Sequence, residues 1–310
     1  MTAMDKASHV VIGAGPGGYA AAFRAADLGL DVTIVEPEAN PGGVCLHRGC
    51  IPSKAFLHAA KLIREAEDGH DMGVTFAAPV LDIDKLRGWK NGIVETLTGG
   101  LGGKVEKKGI RHVRGRARFT GPKALHIDLV DGGEAALEFE QAILATGSRP
   151  ALPPFVSELS DRVIDSTGAL DPQRIPDSLL VIGGGYIGLE LGSVYAALGT
   201  KITVVEMLPQ IMTGADRDLV SQVKRRLDKQ FEGILTNTKV LSLKEQKNGV
   251  KVTMEDKKGE QSNKLFDQVL VSVGRRPNVD GIGLEEAGVA VEDGSGTADA
   301  LRRTNAHGRF

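Results

Sequence analysis

Only two cysteines occur in this chain of 310 residues, and they stand five positions apart in GGVCLHRGCIPSK, Gly42 to Lys54. Cys45 and Cys50 admit three kinds of chemistry: inert buried thiols, metal ligation or reversible disulfide exchange. In a regular helix, residues five apart are separated by about 7.5 Å along the axis, beyond what a disulfide normally spans. A bond between them therefore needs an interrupted helix, and Gly42, Gly43 and Gly49 supply the freedom for one. A disulfide closed under such constraint is comparatively easy to reduce, which suits a catalytic bridge. Zinc needs more ligands than this pair, and only His47 and His58 are close in sequence, so no metal site is expected.

The element that must position these cysteines lies just upstream. HVVIGAGPGGYAAAFRAADLGLDVTIVE reads as a buried strand, a glycine turn, an amphipathic helix and a second strand closing on Glu36. LLVIGGGYIGLELGSVYAALGTKITVVE repeats it, with Gly13, Gly15 and Gly18 answered by Gly183, Gly185 and Gly188, and Glu36 by Glu206, each 170 positions on. In such a turn the first glycine permits the bend, the second lets backbone approach a pyrophosphate, and the third allows close helix–strand packing. The helix N-terminus adds its positive dipole, and the acid closing the second strand is placed to accept from a ribose. One such turn is weak evidence. Two complete copies predict an α/β protein with two Rossmann-like, three-layer dinucleotide-binding domains.

The strand in FEQAILATGSRPALP is stopped by Thr146, Gly147 and two prolines, and FDQVLVSVGRRPN ends alike at Gly274 and Pro277. These exits predict domains over 1–150 and 151–274, with 275–310 returning to the first. IPSKAFLHAAKLIREAE has the apolar spacing of an amphipathic helix. Residues from about 105 to 140 read as a small antiparallel excursion, and KNGVKVTMEDKKGEQ as a hairpin in the second domain. A net charge of -2, from 38 basic and 40 acidic residues, leaves no basic surplus to draw nucleic acid or an anionic membrane. The start has neither a signal-peptide pattern nor a membrane-length apolar run, so a bacterial-type cytoplasmic location is expected.

GGVCLHRGCIPSK resembles the active-site disulfide segment of the flavin-dependent pyridine nucleotide–disulfide oxidoreductases, and GCIPSK is most similar to the members that oxidise dihydrolipoamide. TGGLGG, RFTGP, ATGSRP, GGGYIGLE and VGRRPN follow in the family's order. The resemblance implies FAD on the first unit, NAD on the second, and electron transfer from a protein-bound dihydrolipoamide through a Cys45–Cys50 disulfide to FAD and then NAD. It implies that Cys45 exchanges with the dithiol, that Cys50 lies nearest the flavin, and that Lys54 sits by the flavin edge paired with Glu190. It also adds Gly43, Ala117, Thr146, Gly147, Ser148, Val240 and Gly274 to the cofactor-binding glycines and glutamates. The implied partners are a second copy, forming a homodimer, and the lipoyl domain of a 2-oxoacid dehydrogenase or glycine-cleavage complex. Glu206 would repel a 2′-phosphate, favouring NAD over the NADP usual for glutathione and mercuric reductases.

The sequence also departs from that family. His47 and Arg48 stand where an asparagine and a small apolar residue are common, and LRRTNAHGRF resembles the approach to a second FAD-binding segment but stops before its Gly-Asp motif. None of the histidines, at 9, 47, 58, 70, 112, 126 and 307, has the setting of the family's acid–base histidine, which comes from an interface domain. Two expectations follow: an NAD-dependent oxidoreductase of this family, or a non-catalytic FAD- and NAD-binding fragment.

Overall fold

The computed structural model describes residues 5–306, which places His307 outside the described residues. The chain divides into two compact units. Unit 1 holds the described residues through His47, Val94–Arg149 and those from Arg276; unit 2 holds Arg48–Ile93 and Pro150–Arg275.

Unit 1 opens with β1 (Asp5–Ile12), α1 (Pro16–Asp27), β2 (Val32–Val35) and α2 (Gly43–Arg48). The chain then passes through α3 (Cys50–Asp68) and α4 (Ile83–Lys107), and returns in β3 (Arg111–Val113), β4 (Gly115–Gly121), β5 (Ala124–Leu129) and β6 (Glu134–Leu144). These strands form one six-stranded sheet in the order β3-β2-β1-β6-β5-β4. All four residues of β2 are buried, as a parallel strand covered on both faces requires. The segment read as a small antiparallel excursion pairs antiparallel through β4, β5 and the start of β6, and it extends this same sheet. β6 has eleven residues and works twice: Glu134–Glu138 pair antiparallel with β5, and Leu137–Leu144 pair parallel with β1. The core beneath joins Val10, Leu125, Ile127 and the edge-on rings of Phe119 and Phe139 to Leu284, Ala287, Val289 and Ala306 from the last segment. That last segment is tied in by backbone: the Phe119 N–H donates to Ile282 O at 2.9 Å.

The short β7 (Ser148–Pro150) carries the chain out of unit 1, and unit 2 then runs through β8 (Val163–Asp165), α5 (Ser166–Ala169), β9 (Ser178–Ile182), α6 (Tyr186–Ala197), β10 (Lys201–Val205), α7 (Arg217–Leu227) and β11 (Gly233–Leu235). After the antiparallel strands β12 (Lys239–Gln246), β13 (Gly249–Glu255) and β14 (Gln261–Phe266), β15 (Gln268–Val271) completes a parallel sheet ordered β11-β10-β9-β15-β8. β13 and β14 form the hairpin read at KNGVKVTMEDKKGEQ. The short β16 (Arg275–Pro277) follows.

Residues 48–93, assigned to the first domain by sequence, group with unit 2. α3 buries Phe56 in the core that holds Leu189, Leu191, Tyr195 and Ile202, and Ile83 and Leu86 of α4 pack against it. The Arg64 guanidinium donates to Ser193 O at 2.6 Å and to the Gln230 side chain. Burial, with Arg226 nearby, lowers its pKa. Tyr195 is 2 % exposed and donates to Ala169 O at 3.0 Å, while burial raises its pKa. A helix's apolar stripe says that it must be covered, not by which core.

Candidate functional site: two glycine turns and a cysteine helix

In unit 2, β9 runs into Gly183 at φ +107, the residue after its end, where an added Cβ would lie 2.5 Å from Ser272 O. Gly185 is the N-cap of α6, extended at φ -78 and ψ 171, with no side chain capping the helix. Nothing lies within 4 Å of its Cβ position, so backbone is open to a ligand there. At Gly188 a Cβ would lie 2.6 Å from Gly183 O and 2.5 Å from Ser272 Oγ, which makes this glycine a packing residue. Gly183, Gly185, Glu206, Val240 and Gly274 all line one cavity of 930 Å³. Gly188 is not among its lining residues, whereas the exposed Met207 and Tyr186 are. The sequence reading passed over both, although each directly follows a residue it named.

Glu206 does more than face the cavity. Its Oε2 accepts from the Gly184 N–H at 2.7 Å and its Oε1 from the Leu208 N–H at 2.8 Å.

Unit 1 repeats this geometry. Gly13, at φ +93, would place a Cβ 2.3 Å from Ala145 O, and at Gly18 a Cβ would fall 1.9 Å from Gly13 O. Gly15 is the extended N-cap of α1, again without a side-chain cap. Glu36 Oε2 accepts from the Ala14 N–H at 2.7 Å, and Oε1 from the Glu38 N–H at 3.1 Å. Asn278 donates its side-chain N–H to Thr146 O and its backbone N–H to Gly147 O, both at 2.9 Å, fixing the segment that contains Gly147 at φ +70. Sequence reading did not single out Asn278, although the motif VGRRPN ends on it. Ala117 lies on β4 and packs against the unit 1 core, and Ser148 begins β7.

The cysteine helix starts on this first turn. Gly43, at φ +55, opens α2, and a Cβ there would lie 2.5 Å from Gly15 Cα. The helix is interrupted at Gly49, φ -150 and ψ -108, before α3 begins at Cys50. The break expected of a redox pair is therefore present, while the structure holds no Cys45–Cys50 disulfide. Cys45 is half-buried in unit 1 and Cys50 is exposed in unit 2. His47 Nε2 lies 3.1 Å from Asn40 O. A carbonyl can only accept, so that nitrogen carries the hydrogen.

Lys54 and Glu190 are brought together by α3 and α6 within unit 2, with the Lys54 Nζ donating to both carboxylate oxygens at 2.6 and 2.8 Å. Their side chains are 59 % and 35 % exposed, a setting in which an ion pair adds little stability. Among the other histidines, His112 Nε2 meets Glu36 O at 3.2 Å, and His126 Nε2 lies 3.0 Å from Asp128 and 4.0 Å from Glu134 on an exposed hairpin. No described helix is long and apolar enough to cross a membrane.

The family profile described as pyridine nucleotide-disulphide oxidoreductase matches residues 7–310. The chain belongs to this family. Dihydrolipoyl dehydrogenase of Vibrio parahaemolyticus is 44% identical over 301 residues, which are 97% of this chain and 63% of that protein. The enzyme of the same name from Geobacillus stearothermophilus is 45% identical over 282 residues, 90% of this chain and 59% of that one. Among solved structures, the Cu(II) complex of the HOCl-induced flavoprotein disulfide reductase RclA from Escherichia coli superposes with a TM-score of 0.86 at 28% identity, covering 99% of this chain and 65% of that one. The chain thus spans about three fifths of the length of the curated relatives it matches. Membership in this oxidoreductase family implies FAD and NAD(H) as cofactors. The residues fit them: both turns present a helix N-terminus without a side-chain cap, the second glycine of the second turn leaves backbone open, and that turn borders a cavity of nucleotide size.

Proposed function

We propose that this chain carries the nucleotide- and disulfide-bearing portion of an NAD-dependent dihydrolipoyl dehydrogenase. One observation supports the reading above the rest: the cysteine helix begins at Gly43, packed on Gly15, so the redox pair issues directly from the dinucleotide turn of unit 1. In this reading unit 1 holds FAD through Gly13, Gly15, Glu36, Gly43, Ala117, Thr146, Gly147 and Ser148, with Gly18 packing its helix onto the turn. Unit 2 holds NAD through Gly183, Gly185, Glu206, Val240 and Gly274, with Gly188 in the same packing role. A substrate thiolate attacks Cys45 of the Cys45–Cys50 disulfide; the substrate's second thiol then displaces Cys45, leaving an oxidised lipoyl disulfide and two protein thiols. Each substrate thiol gives up its proton as it attacks. The bound cofactors supply the chemistry that carries the resulting electron pair onward to NAD. Lys54, held by Glu190, would supply a positive charge to the bound flavin, and Cys50 would be the thiol that passes the electron pair to it.

Glu206 favours NAD, because its carboxylate accepts from a ribose 2′-hydroxyl and repels a 2′-phosphate. The partners in this reading are a lipoyl domain and a second copy of the chain, and a reducing compartment such as the bacterial cytoplasm suits the thiols. The test is the absorption spectrum of the purified chain together with thiol titration before and after mild reduction. Bound flavin and two thiols released on reduction are expected. A colourless folded protein with both cysteines titratable in air would overturn the proposal. Flavin with NADH-driven dye reduction, but without dihydrolipoamide-dependent NADH formation, would point to a nucleotide-binding portion that needs the rest of its relatives' length to turn over.

A further inference from the structure

The strand-end glutamate is engaged before any ligand is considered. In unit 2 it bonds the middle residue of the glycine turn and the residue two places after itself; in unit 1, 170 positions earlier, it makes the same two bonds. Chance side-chain placement would not repeat a bidentate pattern with the same oxygen assignment in two separate cores. Hydrogen bonds from backbone N–H to a carboxylate are charge-assisted and about twice as strong as neutral ones. Each oxygen keeps lone-pair capacity for a ribose hydroxyl, so bracing the turn and binding ribose are compatible.

We infer that Glu206 and Glu36 are positioning residues: each sets the shape of its glycine turn in the nucleotide-free protein, so that phosphate binding itself, and not only ribose recognition, depends on the carboxylate. This rests on the nucleotide reading above and adds to it a coupling between selectivity and turn geometry. Replacing Glu206 removes the charge that repels a 2′-phosphate, yet it also loosens the backbone that either dinucleotide's pyrophosphate needs. Gly184 shows how tightly the brace is fitted. A Cβ there would lie 3.2 Å from both Cβ and Oε2 of Glu206 and 2.8 Å from Ile211 Cγ2, so a methyl would push the carboxylate aside without changing its charge.

The experiment pairs amide hydrogen exchange of the nucleotide-free chain with calorimetric binding of NAD⁺ and NADP⁺. In Glu206→Ala, the Gly184 and Leu208 amides should exchange about tenfold faster or more, and both dinucleotides should bind about fivefold or more weakly. Glu206→Gln keeps one acceptor oxygen and should release only one of the two amides. Gly184→Ala keeps the charge and should still weaken both ligands. Unchanged exchange in Glu206→Ala overturns the brace, as does NADP⁺ tightening while NAD⁺ weakens, which is the signature of charge recognition alone. If the unmodified chain binds neither dinucleotide, the nucleotide reading fails, while the exchange measurement still decides on the brace.

Discussion

The first and second glycine turns have one backbone plan and two degrees of closure. Both acids brace the turn, both helices start without a side-chain cap, and both third glycines are pressed against the carbonyl of the first. Glu36 is only 7 % exposed, the middle residue Ala14 is fully buried, and Gly43 of the cysteine helix sits on Gly15. Around the second turn the middle residue is glycine, Glu206 faces a cavity, and Tyr186 and Met207 stand exposed beside it. Under the proposed function, the difference suits a cofactor that stays beside the first turn and a nucleotide that comes and goes beside the second. The brace is common to both; what packs over it sets how open each turn is.

The hardest way to break the likeness is at the third glycines. Gly18→Ala drives a methyl into backbone at 1.9 Å, and we expect about 3 kcal/mol or more of destabilisation, or failure of unit 1 to fold. Gly188→Ala should cost less, since its nearest atom is the Ser272 hydroxyl, although Gly183 O at 2.6 Å still resists. Denaturant titration followed by far-UV circular dichroism reads the loss in both variants, and the single tryptophan, Trp89, adds a probe placed in unit 2. Equal losses in both variants would contradict the contrast.

A smaller effect separates the units by pH. Asp267 accepts from Arg174 and Arg162, and these bonds lower its pKa against the opposing effect of burial. A carboxylate with a depressed folded-state pKa stabilises the protein above its unfolded value near 3.9, and this contribution is lost as pH falls through the folded value. Asp267→Asn should therefore destabilise unit 2 by about 1–2 kcal/mol at pH 7, and the gap from the unmodified protein should close in melts below about pH 4. A gap that persists at pH 2 would mean that the substitution acts through packing instead.

Gly185→Ala sharpens the comparison at the ligand. Its φ is ordinary and its surroundings empty, so stability should change by less than about 0.5 kcal/mol, while a methyl on the open backbone should weaken NAD⁺ binding about tenfold. The same change at Gly15 meets Gly43 Cα at 3.7 Å and should act through flavin retention. Smallest in stability is Lys54→Met, expected within about 0.5 kcal/mol because the pair is exposed. Its effect should appear in the rate of disulfide reduction by NADH, not in the melt.

Local chain geometry explains what the sequence disclosed. The glycine turns, the strand-end acids and the broken helix at Gly49 are each set by a few neighbouring residues, so spacing alone reveals them. The hairpin over β13 and β14 is legible for the same reason. The allegiance of residues 48–93 was hidden, because the apolar face of α3 fits any core and only tertiary contact assigns Phe56 to that of Leu189 and Tyr195. The continuity of β6 was hidden too, since one strand pairing in two senses looks like an antiparallel segment followed by a parallel one. The brace left a faint trace, an acid spaced 22 residues from the middle of the turn in both copies, but side-chain-to-backbone bonding has no compositional signal.

Unit 1 is written in three pieces, with unit 2 interleaved among them. A ribosome finishes every residue of unit 2 once Arg275 is made, whereas the core of unit 1 still awaits Leu284, Ala287, Val289 and Ala306. During synthesis the second-born core can therefore close first, and the first-born strands must wait, with β4 unable to bond Ile282 until the final segment emerges. Nascent chains stalled so that Arg275 has just cleared the exit tunnel should protect unit 2 from protease while leaving unit 1 open to cleavage. Protection of unit 1 at that stage would show that its core closes without the returning strand.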